Sequence, residues 1–313
     1  MTPAIRIDNL GKTYLSGFLR RPFVGLEKVT FDVPEGGAFG FVGPNGAGKT
    51  TSIKMLMGLQ APTAGQAWIF GVPIAQPDSR RSVGFMPERP YFYEHLTAWE
   101  FLEFYARLSE VPATERTGRI TALLARVGLE RFRNVPLRKF SKGMLQRAGI
   151  AQALVADPKL VVLDEPMSGL DPIGRVLVRD IIVEEKERGR TVFFSSHILS
   201  DVESICERVA IVVAGTLRGV GTLPELIGTS SLTVDVTYAG TAELPGAARI
   251  GSTADSTTVR VAPGEVDAVI RAIHAAGGGV LTVHRNTRTL EDVFLDEVER
   301  ARLVNEKRLG VLA

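Results

Sequence analysis

The stretch "FGFVGPNGAGKTT", Phe39 to Thr51, joins an apolar run of strand length to a glycine-rich loop that ends in a lysine and two threonines. Its spacing is that of a P-loop, in which two glycines flank four residues and a lysine and a hydroxyl residue follow. Glycine lets the backbone curl so that several N–H groups converge on phosphate oxygens. We therefore expect a strand, a phosphate-binding loop and a helix here. The candidate phosphate-binding residues are Gly43, Pro44, Asn45, Gly46, Ala47, Gly48, Lys49, Thr50 and Thr51.

Further polar residues follow other apolar runs. Asp164 and Glu165 end the run "LVVLDEP", and His197 ends "TVFFSSH". Ligands of open parallel sheets lie at the carboxyl ends of the strands, so these side chains should meet near the loop. In such a site Lys49 bridges the β- and γ-phosphates, while the Thr50 hydroxyl and a strand-end carboxylate such as Asp164 hold Mg²⁺. Glu165 is then the candidate general base for an attacking water, with a solvated strand end as the alternative. His197 would contact the γ-phosphate or hold that water.

The stretch "FSKGMLQR", Phe140 to Arg147, predicts a helix start. Ser141 stands at the N-cap position, with an apolar residue before it and another at the fourth helical position. The free N–H groups of such a terminus favour an anion. An ordinary capped helix is the alternative.

The order of the apolar runs indicates the α/β class. Continuous apolar strands recur between helical patterns, at 37–43, 159–166, 191–197 and 208–215. Strands covered on both faces read in this way, which favours a parallel sheet flanked by helices. We expect a P-loop NTPase domain at 1–225 with a mixed, mostly parallel central sheet, a helical subdomain at about 84–156, and a small α+β module at 226–313. Thr97 and Glu100 predict a capping box at one helix start.

Composition bounds the remaining possibilities. The 313 residues are 45% hydrophobic and 23% charged, with 37 basic against 35 acidic residues, so nothing suggests nucleic-acid binding. No run approaches the ~20 apolar residues that span a bilayer, and the N-terminus lacks the apolar core of a signal peptide. Both observations point to the cytosol. The single cysteine, Cys206, excludes a disulfide framework and is expected as a packed thiol.

Taken together, these motifs resemble the ATP-binding cassette (ABC) ATPases, the motor subunits of ABC transporters, over about residues 4–225. The blocks occur in the order of that family. They are Tyr14 as the adenine-stacking aromatic, Gly43 to Thr51 as the P-loop, "GFMPER" with Glu88 as the Q-loop, "FSKGMLQ" as the signature, "VVLDEP" as Walker B, "SGLDP" at 168–172 as the D-loop, and His197 as the switch histidine.

The resemblance implies roles for these positions. ATP and Mg²⁺ are the expected cofactors, with Glu165, His197 and Glu88 catalytic and with Thr50, Asp164 and Glu88 on the metal. Two cassettes of this family pair head to tail. Ser141 and Gly143 would therefore receive the γ-phosphate of the ATP that the other copy's Lys49 holds. The expected second cassette is another copy of this chain, with a related cassette as the alternative.

Three positions depart from the common family pattern. Lys142 and Met144 replace a glycine and a glutamine of the signature, and Glu88 replaces the usual Q-loop glutamine. With the C-terminal module, these departures resemble the branch that serves bacterial exporters, in which the membrane-spanning permease is a separate polypeptide. The chain would then bind peripherally at the cytoplasmic face of the membrane. The aromatic stretch "PYFYEHL" would receive a cytoplasmic helix of the permease, or else pack inside the helical subdomain.

Other readings of the same motifs are a non-transport ABC ATPase, a regulatory ABC protein with weak hydrolysis, and an importer ATPase. The single motif set argues against the first, and retention of Lys49, Asp164, Glu165 and His197 argues against the second. The signature and the C-terminal module favour an exporter over an importer by resemblance. The C-terminal module carries no catalytic constellation, and we expect it to stabilise the closed pair or to tune activity.

Overall fold

The structure of the protein is a computed structural model. This structure describes residues 2–16, 21–89, 92–228, 233–240, 247–253, 255–286 and 289–308. The chain divides into two compact units, Met1–Leu223 with Phe294–Ala313, and Pro224–Val293. The predicted division of the chain into two functional domains, at residues 1–225 and 226–313, stays a prediction. Among the described residues, no helix combines the length and the apolar character needed to cross a bilayer.

A six-stranded sheet forms the centre of the first unit. Its strands are β3 (Gly37–Val42), β6 (Val83–Met86), β7 (Leu160–Asp164), β8 (Thr191–Ser196), β9 (Arg208–Val213) and β10 (Thr216–Thr222), in the order β10-β9-β3-β8-β7-β6. All neighbours pair in parallel except β9 and β10. Every residue of β7 and β8 is buried, which explains the continuous apolar runs at residues 160–163 and 192–194 within them. The predicted class and the mostly parallel sheet are confirmed.

A second, antiparallel sheet covers one side of the central sheet. It consists of β1 (Ile5–Ser16), β2 (Arg21–Val33), β4 (Ala64–Ile69) and β5 (Val72–Pro73), in the order β2-β1-β4-β5. Phe31 of β2 lies 5.7 Å from Phe39 and 5.6 Å from Phe41, measured between ring centroids. Both rings of β3 in turn contact Phe193 of β8. These aromatic contacts join the two sheets into one core.

Helices surround the sheets. They are α1 (Lys49–Leu56), α2 (Ala98–Leu108), α3 (Ala113–Arg126), α4 (Lys142–Leu154), α5 (Pro172–Glu187) and α6 (Leu199–Ile205). Among them, α2, α3 and α4 contact one another and form the helical group in the middle of the chain. The predicted capping box is present at α2, where Thr97 and Glu100 bond reciprocally. The helical group begins later than the predicted residue 84, because Val83–Met86 form the edge strand of the central sheet. Cys206 is buried, as predicted, and burial raises the pKa of its thiol.

The second unit contains a four-stranded antiparallel sheet in the order β12-β13-β11-β14. Its strands are β11 (Thr233–Ala239), β12 (Ala248–Ser252), β13 (Ser256–Val261) and β14 (Val280–Asn286), and α8 (Val266–Ala275) lies between β13 and β14 in sequence. Alternate residues of β11 and β13 are buried around Tyr238 and Ile273. In sequence, the short α7 (Leu223–Ile227) spans the first residue of this unit and the long α9 (Leu290–Arg308) spans its last.

Candidate nucleotide site

The P-loop lies between β3 and α1, as its sequence predicts. Gly46 and Gly48 have φ angles of +79° and +103°, which residues with a side chain rarely adopt. A Cβ atom on Gly43 would lie 2.3 Å from the carbonyl oxygen of Val212, so β9 also excludes a side chain there. These glycines leave the backbone N–H groups at the start of α1 free for an anion.

Lys49 is the first residue of α1, and only 6% of it is exposed. Its Nζ donates hydrogen bonds to the carbonyl oxygens of Gly43, at 2.6 Å, and Pro44, at 3.3 Å. It also lies 3.2 Å from Oε1 of Glu165. The loop and the strand-end carboxylate therefore hold the ammonium group in one position.

Glu165 connects Lys49 to His197. While one carboxylate oxygen contacts Lys49, Oε2 lies 2.7 Å from Nδ1 of His197. The carboxylate is almost fully buried, whereas 39% of the His197 side chain is exposed. A base that is held by a cation on one side and by a solvent-accessible imidazole on the other is positioned to accept a proton from a water in the cleft.

Asp164 lies one residue earlier, at the end of β7. Burial raises the pKa of its carboxyl, and hydrogen bonds from Ser195 and Thr50 oppose part of that shift. The negative charges of Glu88 and Glu165 raise the pKa further. A bound cation would favour the ionised carboxylate, and hydroxyl and carboxylate oxygens are the ligands that Mg²⁺ prefers. The donor set of Thr50, Asp164 and the exposed Glu88 therefore fits a magnesium ion.

Two buried residues hold the Glu165 backbone, and neither is among the site residues predicted from the sequence. The Glu165 N–H donates to Oγ of Ser195, at 2.9 Å, and Ser195 Oγ donates to Oδ1 of Asp164, at 2.6 Å. Gln146 of α4 donates to the carbonyl oxygens of Glu165 and Pro166, at 3.1 Å each. Gln146 ends the signature stretch "FSKGMLQ" and Ser195 lies in the run "TVFFSSH", but neither stretch indicates a contact with Glu165.

Tyr14 lies at the rim of the cleft, on β1. Its hydroxyl is 3.1 Å from the Thr51 hydroxyl and donates to Oε1 of Gln60, at 3.2 Å. Phe23 is the partner of Tyr14 across the β1–β2 pair and is 60% exposed, so it provides a second aromatic ring that the sequence reading missed. The cleft has a volume of about 430 Å³ and is lined by Tyr14, Phe23, Gly25, Pro44 to Thr51, Glu88, Glu165, Ser168 and His197.

Ser141 and Gly143 lie elsewhere on the same chain. Ser141 is the N-cap of α4, as predicted, and its Oγ accepts from the Met144 N–H at 3.2 Å. Both residues line a separate groove together with Gly169, Leu170 and Asp171 of the predicted D-loop. The signature and Gly169 to Asp171 of the D-loop thus share one surface, whereas Ser168 lines the cleft. The other predicted site residues line the cleft too, except Gly43 and Asp164.

The aromatic stretch after Glu88 divides between the interior and the surface. The Phe92 ring packs edge-on against the buried Phe101, with 5.2 Å between centroids. Tyr93 contacts Phe104 at 5.4 Å, and these two side chains are 49% and 41% exposed. Tyr91 lies outside the described residues.

Comparison with known proteins places this geometry in a family. The family model described as "ABC transporter" matches residues 26–168. An uncharacterised ABC transporter ATP-binding protein of Nostoc sp. is 39% identical over 305 residues, covering 96% of this chain and 91% of that protein. The fluoroquinolones export ATP-binding protein of Mycobacterium tuberculosis is 37% identical over 275 residues, covering 86% of each chain. The ATP-binding cassette MJ0796, solved as a post-hydrolysis dimer with ADP and Pi, is 26% identical with a TM-score of 0.65, covering 70% of this chain and 98% of that one.

Proposed function

The chain belongs to the ABC transporter family, and we propose that it is the ATP-hydrolysing subunit of an exporter whose permease is a separate polypeptide. It is an ATP-binding cassette that uses Mg²⁺. One observation carries the assignment of its chemistry: the Glu165 carboxylate lies between Lys49 and His197 at the wall of the P-loop cleft.

The residues of the cleft divide the work of hydrolysis. Lys49 and the backbone N–H groups of the P-loop bind the phosphates, and the Tyr14 ring stacks on the adenine. Glu165 accepts a proton from the water that attacks the γ-phosphorus, while the bond from that phosphorus to the ADP oxygen breaks. His197 orients Glu165 and the water. Thr50, Asp164 and Glu88 would hold Mg²⁺, which supplies charge neutralisation for the phosphate oxygens.

A second cassette completes the site. The separate position of Ser141 and Gly143 supports this part of the proposal, because they present a capped helix start on a different surface from the cleft. In a head-to-tail pair, the N-terminus of α4 from one copy faces the γ-phosphate that the other copy binds. The positive end of a helix stabilises such an anion. ATP then joins the two copies, and hydrolysis weakens the contact.

A groove beside the cleft is the proposed contact for the permease. It is lined by Glu88, Arg89, Phe92, Glu94, Leu137, Arg138, Phe140, Lys142, Leu145 and Gln146. The exposed Tyr93 and Phe104 lie on the same helical group, and exposed aromatic residues are frequent anchors of protein interfaces. Glu88 lines both this groove and the nucleotide cleft, so the permease and the nucleotide would contact one residue.

The direction of transport rests on relatives. The Mycobacterium tuberculosis relative is named as an export protein, and a bacitracin transport ATP-binding protein of Bacillus licheniformis is 40% identical over 220 residues. A peripheral position at the cytoplasmic face of the membrane follows from this proposal.

Phosphate release from MgATP by the purified chain, alone and with its co-expressed permease, tests the function. We expect turnover that Lys49→Ala reduces by about 10² to 10³, because a charge aimed at the transferring group is lost. Lys54→Ala changes an exposed lysine of the same helix and should leave turnover unchanged. Sedimentation should show pairs with ATP and single chains with ADP. Equal turnover in the wild type and Lys49→Ala would remove the P-loop from the reaction.

A further inference from the structure

Gln146 is a buried polar residue at the proposed permease groove that has no assigned role in ATP hydrolysis. It lies in the second turn of α4 and is 4% exposed. Its single amide nitrogen donates to two successive carbonyl oxygens, those of Glu165 and Pro166, at 3.1 Å each. An amide nitrogen has two hydrogens, so both of its donor positions are used on the segment that carries the proposed general base.

Glu165 has a backbone conformation that needs such support. Its φ angle is +54°, in the left-handed region that residues other than glycine rarely adopt. A residue in this conformation persists only where its surroundings hold it, and such residues cluster at functional sites. Here both sides of the residue are held: Ser195 accepts from the N–H and Gln146 donates to the carbonyl oxygen.

The Glu165 side chain depends on this backbone. The φ angle of Glu165 sets the direction of its Cα–Cβ bond, and the carboxylate must reach Lys49 at 3.2 Å and His197 at 2.7 Å together. If the peptide turned toward an ordinary φ, the carboxylate would leave one or both partners. Displacement of a catalytic group by about 1 Å can lower a rate by about 10²-fold.

We propose that Gln146 is a positioning residue for ATP hydrolysis, which holds the Glu165 carbonyl and so keeps the carboxylate between Lys49 and His197. The inference rests on the proposed role of Glu165 as general base. Gln146 contacts no nucleotide in this scheme, because it does not line the cleft. Its effect should therefore fall on the rate of the chemical step and leave nucleotide binding in place.

Gln146→Met tests the proposal, because methionine has a similar length and no donor. We expect the kcat for phosphate release to fall about 10- to 100-fold, while the Kd for MgATP stays within about threefold of the wild type. Gln146→Glu, a second variant of the same shape that cannot donate when ionised, should behave alike. Gln152→Met is the matched control, since Gln152 lies on the same helix and is half-buried. It should keep the wild-type kcat.

A double variant shows whether Gln146 acts through Glu165. In a Glu165→Gln background, Gln146→Met should change the residual turnover by less than about twofold, because the group it positions is already gone. A full, multiplicative loss there would overturn the proposal. Wild-type kcat in Gln146→Met would also overturn it. Loss of MgATP binding in both Gln146→Met and Gln146→Glu would overturn it too, because Gln146 would then be needed for folding. Full turnover in Glu165→Gln alone would instead refute the proposed role of Glu165.

Discussion

Replacing Glu165 with Gln should separate nucleotide binding from hydrolysis. The Glu165 carboxylate lies 3.2 Å from Lys49 Nζ, and 6% of the lysine and 9% of the glutamate side chain are exposed. At an effective dielectric constant of about 20, unit charges at this distance attract by about 5 kcal/mol before desolvation is counted. Removing one member of a buried ion pair costs about 3 to 5 kcal/mol, because the other charge is left uncompensated. Phosphate oxygens can compensate Lys49 in the variant, so part of that cost is recovered when MgATP binds.

We therefore expect Glu165→Gln to bind MgATP at least about tenfold more tightly, which corresponds to about 1.4 kcal/mol. Turnover should fall by about 10² to 10⁴, the usual contribution of a general base. Equilibrium titration with a fluorescent ATP analogue and single-turnover phosphate release measure the two effects. Glu187→Gln, which removes an exposed carboxylate near the end of α5, is the control and should match the wild type. Weaker binding of MgATP, or turnover near that of the wild type, would refute the reasoning.

Three further substitutions, one of them with a matched control, test other parts of the structure. Tyr14→Phe removes the hydroxyl that lies 3.1 Å from the Thr51 hydroxyl and donates to Gln60. It should raise the KM for ATP about fivefold at unchanged kcat, which corresponds to a loss of about 1 kcal/mol in holding the ring. An unchanged KM would show that the ring alone matters. Gly84→Ala would place a Cβ 1.9 Å from a backbone carbonyl oxygen of α4, so the urea midpoint should drop by the equivalent of about 1–3 kcal/mol or more. Gly118→Ala, at an open position of α3, is the control and should raise the free energy of unfolding by up to about 1 kcal/mol. A lower urea midpoint for Gly118→Ala would contradict the assignment of the Gly84 effect to the backbone contact. Thr97→Ala removes the capping box of α2 and should lower the stability of that helix by about 1 kcal/mol, measured as faster amide hydrogen exchange. An unchanged exchange rate would show that the cap contributes nothing.

Much of the cleft could be predicted from the sequence, because most of its functional residues lie in short, contiguous motifs. The P-loop glycines, Lys49 and Thr50 lie within a few positions of one another, and their spacing follows from the geometry of a loop that surrounds phosphate. Asp164 and His197 were identified because each ends an apolar strand. The parallel strands β7 and β8 then bring these ends to one edge of the sheet.

The residues that hold Glu165 could not be found in this way. Ser195 is 30 positions from Glu165 and Gln146 is 19 positions from it, so their contacts exist only once β8 and α4 have packed against β7. The antiparallel sheet was also missed. Its strands β1 and β2 are long and largely polar on their exposed faces, and Phe23 becomes part of the cleft only through pairing with Tyr14.

The helix α4 has a mechanical consequence. Ser141 caps its first turn and Gln146 lies five residues further along, a rise of about 7.5 Å on an unbroken rod. Any pull or rotation applied at the capped end must therefore reach the Glu165 carbonyl without an intervening hinge. In a cassette pair, a force that the neighbour's triphosphate exerts on the capped end would in this way act on the proposed general base of the same copy.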